Sequence, residues 1–187
     1  MLNIQSQTWA NTKAEFFGDF KRLPAGGHRC IIKNVEQRES QSHKPMLVIA
    51  FDIAGGEYDG YYMDIYAKNV EKAQKEGKKA KWPMGGLIYQ LIDEEHLGRF
   101  KGIITNIEKS NPNYTFNMDE KTLIGKFFGG VFREEEYEAQ DGSIKTTVRC
   151  NVIREVEGIE DIAVPTKKCL ERKPKNSNPL TDEDIPF

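Results

Sequence analysis

Between Lys68 and Trp82 the chain carries Lys68, Lys72, Lys75, Lys78, Lys79 and Lys81 against only Glu71 and Glu76. Ammonium groups neutralise phosphates, and the indole that follows at once can stack on any base. The run therefore has the chemistry of a binder that grips a nucleic-acid backbone without reading its sequence. The plainer reading is a solvated lysine loop with Trp82 folded into the core, because charge runs are usually surface.

A second chemical feature lies at Asp182-Glu183-Asp184-Ile185-Pro186-Phe187, where three carboxylates precede an apolar tip and Phe187 carries the α-carboxylate. Pro186 fixes its own φ and restricts Ile185, so an extended tip is expected. Such a tip offers an aromatic side chain to an apolar pocket and a terminal carboxylate to a basic site, a recurring mode of peptide capture. All six residues are candidates for partner binding. The alternative is an ordinary acidic end.

The remaining candidates are weaker. Tyr61 to Tyr66 reads as a strand with Tyr62 and Tyr66 on the face opposite Tyr61, Met63 and Ile65, where aromatics could stack on bases or pack under another segment. Lys145 and Arg149 share a face of a later strand and could meet phosphate, although exposed pairs are more often simply solvated. Arg29 and Lys33 share a face with Ile31 and Val35, which leaves that strand's orientation open. Glu134, Glu135, Glu136 and Glu138 suggest a metal-dependent nuclease only superficially, since consecutive strand residues point to opposite faces. His28, His43 and His96 have no matching acid and nucleophile, and no phosphate-binding loop is present. The expectation is no enzyme, no cofactor and no metal.

Charge argues against a nucleic-acid partner. The net charge of −2 becomes −3 once residues 165–187, with five basic and four acidic side chains, are set aside. Binders of nucleic acid are usually basic, so any such surface here must be local. No apolar run is long enough to span a membrane, and the first residues lack a signal-peptide pattern. Cys30, Cys150 and Cys169 are odd in number and show no zinc spacing, which favours a reducing cytoplasm.

Several elements must position these groups. His28 to Gln37 and Met46 to Ile53 read as strands, the second with Leu47, Ile49, Phe51 and Ile53 in strict alternation. Tyr61 to Tyr66 is expected as the third strand. Leu87, Leu91 and His96-Leu97 begin a helical stretch in which Phe100, Ile103, Ile104 and Ile107 recur at helical spacing, and Asn111-Pro112-Asn113 ends it. Lys121 to Glu136 returns to strand, with Gly129-Gly130 marking a bulge or sharp coil. Asp141-Gly142 signals a hairpin into Ser143 to Val156. The order β-β-β-α-β-β predicts a mainly β fold, an OB-fold five-stranded Greek-key barrel with a helix between strands three and four. Residues 1–22 read as a leader docking on the barrel, with Phe16, Phe20 and Leu23 as its stripe. Residues 23–164 form the barrel domain. Residues 165–187, rich in proline and polar side chains, read as a disordered tether ending in the acidic tip.

The chain resembles a phage- and prophage-borne family of single-stranded DNA-binding proteins of Gram-positive bacteria. The similar segments are Leu23-Pro24-Ala25-Gly26-Gly27, Lys44 to Ile49, Phe100 to Thr105, Ile107 to Pro112 and Gly125 to Glu136. The tip resembles that of bacterial single-stranded DNA-binding proteins. The resemblance implies stoichiometric coverage of single-stranded DNA during phage replication, recombination or repair, with the tip recruiting enzymes of those processes. On this reading Trp82, Lys78, Lys79, Lys81, Tyr62, Tyr66, Lys145 and Arg149 meet the strand. Oligomeric state stays open, a homo-oligomer included. The rival expectation is a protein-interaction adaptor that uses the tip and does not touch DNA.

Overall fold

Cys30, Ile32 and Val35 point inward from the first strand, β1 (Gly26–Glu39), and all three are buried. Their even spacing breaks because the register against the next strand shifts between Ile32 and Asn34, leaving Lys33 as an extra residue. Such a bulge bends a strand and sharpens its twist. Bent β1 serves two neighbours. Gly26–Ile31 pairs with β4 (Phe127–Glu138), and Cys30–Glu39 pairs with β2 (Pro45–Ile53). β3 (Leu87–Leu91) adds to β2, and β5 (Ile144–Arg154) adds to β4. The result is one antiparallel five-stranded sheet in the order β3-β2-β1-β4-β5. Among the described residues β3 and β5 share no ladder, so the sheet is open. This is the arrangement in a computed structural model, which describes Gln7 and residues 21–171.

The alternation read in β2 is borne out: Leu47, Ile49, Phe51 and Ile53 are all core residues. Phe51 meets Phe128 edge-on at 5.4 Å and Phe132 at 6.0 Å between ring centroids. Burying each such ring contributes on the order of 1.5–3 kcal/mol. The helix expected from Phe100, Ile103, Ile104 and Ile107 also forms, as Leu97–Ser110 between β3 and β4, and its three isoleucines are buried. Asn111 terminates it. The Asn111 amide donates to the Ile107 carbonyl at 2.7 Å and the Phe127 carbonyl at 2.8 Å, and its Oδ1 accepts from Phe127 N–H at 3.0 Å. One side chain thus closes the helix and starts β4.

The expected third strand is a helix. Tyr61–Lys75 forms α1, inserted between β2 and β3, so Leu97–Ser110 becomes α2. The reason is tertiary. Asp52 at the end of β2 is 1% exposed, and its carboxylate accepts from Tyr62 N–H at 2.8 Å and Met63 N–H at 3.2 Å. These are first-turn donors with no partner inside the helix, and the cap comes from another element. Gly60, at φ 75, makes the left-handed entry that this geometry requires. Tyr62, Tyr66, Asn69 and Ala73 then recur at helical spacing on the less exposed side.

Three further expectations change. Leu87–Leu91 pairs with Met46–Ala50 as β3 and does not begin the helical stretch. β4 begins at Phe127, because Glu120–Leu123 is a 3₁₀ turn that places Leu123 in the core. Residues 165–171, assigned by sequence to the tether, partly dock. Lys168 bridges Glu135 in parallel, donating to the Glu134 carbonyl at 2.8 Å and accepting from Glu136 N–H at 2.9 Å. β1 starts opposite Phe132, which leaves this stretch of the β4 edge open for that contact. The leader stripe before Leu23 and the acidic tip lie outside the described residues, while Leu23 itself is buried.

Gly129 and Gly130 serve close approach. A Cβ on Gly129 would stand 2.4 Å from the Glu155 carbonyl oxygen, and one on Gly130 would stand 2.9 Å from the Cys30 sulfur. The β4–β5 register shift falls just beyond, between Val131 and Phe132.

Candidate nucleic-acid interface

Six of the basic residues singled out by sequence lie on or just after α1. Lys68, Lys72 and Lys75 are spaced i, i+4, i+7 and are all exposed, so they form one stripe on a helix and not a loop as expected. Lys78, Lys79 and Lys81 continue it in the following turn. Lys78 pairs with Glu76 at 2.9 Å. Lys68, Lys72, Lys75, Lys79 and Lys81 form no ion pair among the described residues, unlike Lys44, Lys109, Lys145 and Lys167.

The ledge is held at both ends. Asp52 caps the start of α1, as above. At the other end Gly77 takes φ 63, and Lys78 N–H donates to the Ala73 carbonyl at 2.9 Å, a left-handed helix stop. The Asn69 amide then donates to the Lys81 carbonyl at 3.2 Å. Trp82 donates from its indole nitrogen to the Gly86 carbonyl at 3.1 Å and meets the Tyr66 ring at 5.1 Å between centroids. Both aromatics are half-buried, and Trp82 packs on the core. They act first as a strut for the lysine-bearing turn.

Tyr62 departs from its expected place. It is 3% exposed, packed edge-on against Phe51 at 5.5 Å, and burial pushes its phenol well above the ordinary range. No base can reach it. Lys145 and Arg149 do share an exposed face of β5. Lys145 leans toward Asp141 at 3.8 Å, whereas Arg149 has no ion pair among the described residues.

Sequence reasoning missed Tyr89. On the face of β3 turned away from the core, the cross-strand rungs are Arg38–Met46–Leu91, Glu36–Val48–Tyr89 and Asn34–Ala50–Leu87. Tyr89 is 52% exposed and supplies the open aromatic surface that Tyr62 does not. The alternation of Leu87, Tyr89 and Leu91 against Ile88 and Gln90 was its signal, hidden by the helical spacing of Leu87 and Leu91.

Other reactive groups are accounted for. Asp93, Glu95 and His96 lie close enough to share a cation, but Lys44 already sits between Asp93 at 2.8 Å and Glu95 at 3.2 Å. Lys44, helped by His96, holds the Asp93 carboxyl below its usual range. The cluster clasps the β1–β2 loop to the start of α2. Glu135 pairs with Arg133 at 2.7 Å and Glu136 with Lys167 at 2.9 Å, so two of the four glutamates at the end of β4 are in ion pairs. Burial pushes the Cys150 thiol up to about 12 and that of Cys30 well above its ordinary value, which makes both poor nucleophiles near neutral pH. No family model matches the chain, and no curated protein matches it either.

Proposed function

We propose that this chain is a non-enzymatic, largely sequence-independent single-stranded DNA-binding protein that recruits partner enzymes through Asp182–Phe187. The observation that carries the reading is the lysine ledge of α1: Lys68, Lys72 and Lys75 share one exposed helix stripe, Lys79 and Lys81 extend it, and none of the five forms an ion pair among the described residues. Phosphates supply the charge that Lys68, Lys72, Lys75, Lys79 and Lys81 lack. Tyr89, half-exposed on β3, offers a generic stacking surface on the β2–β3 face.

The fold proposal goes with it. A partly open OB barrel has β1 paired to both β2 and β4, β3 beyond β2 and β5 beyond β4, which is the strand order found here. Its β2–β3 face and connecting loops bind oligonucleotides in other proteins of that architecture. The resemblance to phage-type single-stranded DNA-binding proteins points to replication or recombination intermediates as the substrate.

Titrating labelled oligo(dT) in EDTA at several salt concentrations tests the proposal. Affinity should fall steeply with salt, with little change between pyrimidine sequences. Undetectable binding at low salt would refute it and leave the adaptor reading, which the acidic net charge favours.

A further inference from the structure

The two free edges of the sheet face each other across a groove of about 440 Å³, with α2 as its floor. Its walls come from Ile88, Tyr89 and Gln90 of β3 and from Cys150 to Ile153 of β5, and Arg99, Gly102, Ile103 and Asn106 rise from α2. Among the described residues no carboxylate lines it, although acids outnumber bases in the chain. Asn151 is present because of a second bulge. Val131 pairs with Val152 and Phe132 with Cys150, so Asn151 has no partner in the ladder. Bulges re-aim side chains in this way.

The polar groups in the groove are unspent. The Tyr89 hydroxyl, the Arg99 guanidinium and the Asn151 amide have no hydrogen bond or ion pair among the described residues. By contrast Asn106 is committed, donating to the Ile153 carbonyl at 3.0 Å. An aromatic face, a guanidinium and an amide are the groups that stack on a base and hydrogen-bond its edge. Arginine suits the O6/N7 edge of guanine and asparagine the N6/N7 edge of adenine. The volume falls within the roughly 300–1,000 Å³ of sites that enclose small organic groups.

We propose that the groove between β3 and β5 is a purine-base subsite, in which Tyr89 stacks on the base while Arg99 and Asn151 take its edge. The subsite rests on the single-stranded DNA reading and adds to it a local preference within otherwise generic coverage. A strand of peptide added to the free edges is the competing occupant, and it would show no base preference.

The test compares a short oligo(dT) with the same oligomer carrying a central run of adenosine and guanosine, by fluorescence anisotropy on the full chain. The purine oligomer should bind about tenfold tighter, the scale of one good base-edge contact. Asn151→Ala should reduce the preference to under about twofold while leaving oligo(dT) affinity unchanged. Gly102→Leu should also reduce the preference, by filling the groove. A Cβ at Gly102 meets nothing within 4 Å and leucine raises helix propensity, so the variant should fold, with its Tm as the check. Equal binding of both oligomers by the unmodified chain, or a preference that survives both substitutions, overturns the subsite alone. Failure to bind either oligomer at low salt overturns the single-strand reading as well.

Discussion

Replacing Asp52 by alanine removes the acceptor that lets Tyr61–Lys75 begin as a helix. Three backbone donors lose their partner: Ile53 at 2.9 Å, Tyr62 at 2.8 Å and Met63 at 3.2 Å. Tyr62 and Ile53 are buried, whereas Met63 is 41% exposed and its N–H can recover water. Two buried donors left bare cost about 1–3 kcal/mol each, and removing the carboxylate's own desolvation cost offsets part of that, leaving a net loss of about 2–3 kcal/mol. For a folded unit of this size that is a fall of about 5–10 °C in Tm. Thermal unfolding by circular dichroism reads it directly. A loss below about 0.5 kcal/mol would refute the cap as the cause of the helix. The same residue gives a pH signature. Burial raises the Asp52 carboxyl above its ordinary value against the pull of its three N–H donors. The folded state therefore holds the proton more tightly than the unfolded chain does. Its ionisation costs stability as pH climbs from the unfolded carboxyl range through the folded value. Asp52→Asn carries no such cost, so the unmodified chain's advantage over it should widen from neutral pH down to about pH 4. A narrowing advantage would mean that the N–H donors outweigh burial.

Replacing Lys72, Lys75, Lys79 and Lys81 together by alanine should flatten the salt dependence of oligo(dT) binding by about three units of log–log slope, at about 0.7 for each lost phosphate contact. An unchanged slope would make the ledge mere solvated surface. Tyr89→Ala should weaken oligo(dT) binding by about 1–3 kcal/mol without moving Tm, as loss of one stacked base predicts. Trp82→Ala should lower Tm through the lost Gly86 bond and packing, and the reverse pairing of effects would exchange the two roles. Deleting Asp182–Phe187 should leave single-strand affinity equal or slightly higher at low salt and abolish capture of replication or repair enzymes, because its acids repel phosphate. Lost DNA binding with partners retained would invert that division of labour.

What could be read in advance followed how local its cause was. β2 alternates within its own nine residues, α2 carries four apolar residues at helical spacing, and Asp141-Gly142 turns one hairpin, so each was legible. α1 was not. Its cap lies in another strand, and the window Tyr61 to Tyr66 satisfies a two-residue period as well as a helical one. β3 has only five residues, and Leu87 and Leu91 mimic a helix face. These two errors are linked, since moving the third strand downstream frees Tyr61 to become helical. For the site, the lysines were found but placed on a loop, Tyr62 was put outside when it is inside, and Tyr89 was overlooked. That Asn151 drops out of the ladder could not have been read in advance, because the bulge depends on the partner strand.

The three cysteines sit at three depths: Cys30 sealed in the core, Cys150 half-buried on β5 and Cys169 exposed beyond Pro165. Thiols react with alkylating reagents only when accessible and ionised, so each reports a different opening event. Cys169 should label at once, Cys150 when β5 loosens, and Cys30 only when the core of the sheet itself comes apart. The chain thus carries its own clock. The order and rate of modification, followed by mass, would time local fraying against global unfolding without adding a probe.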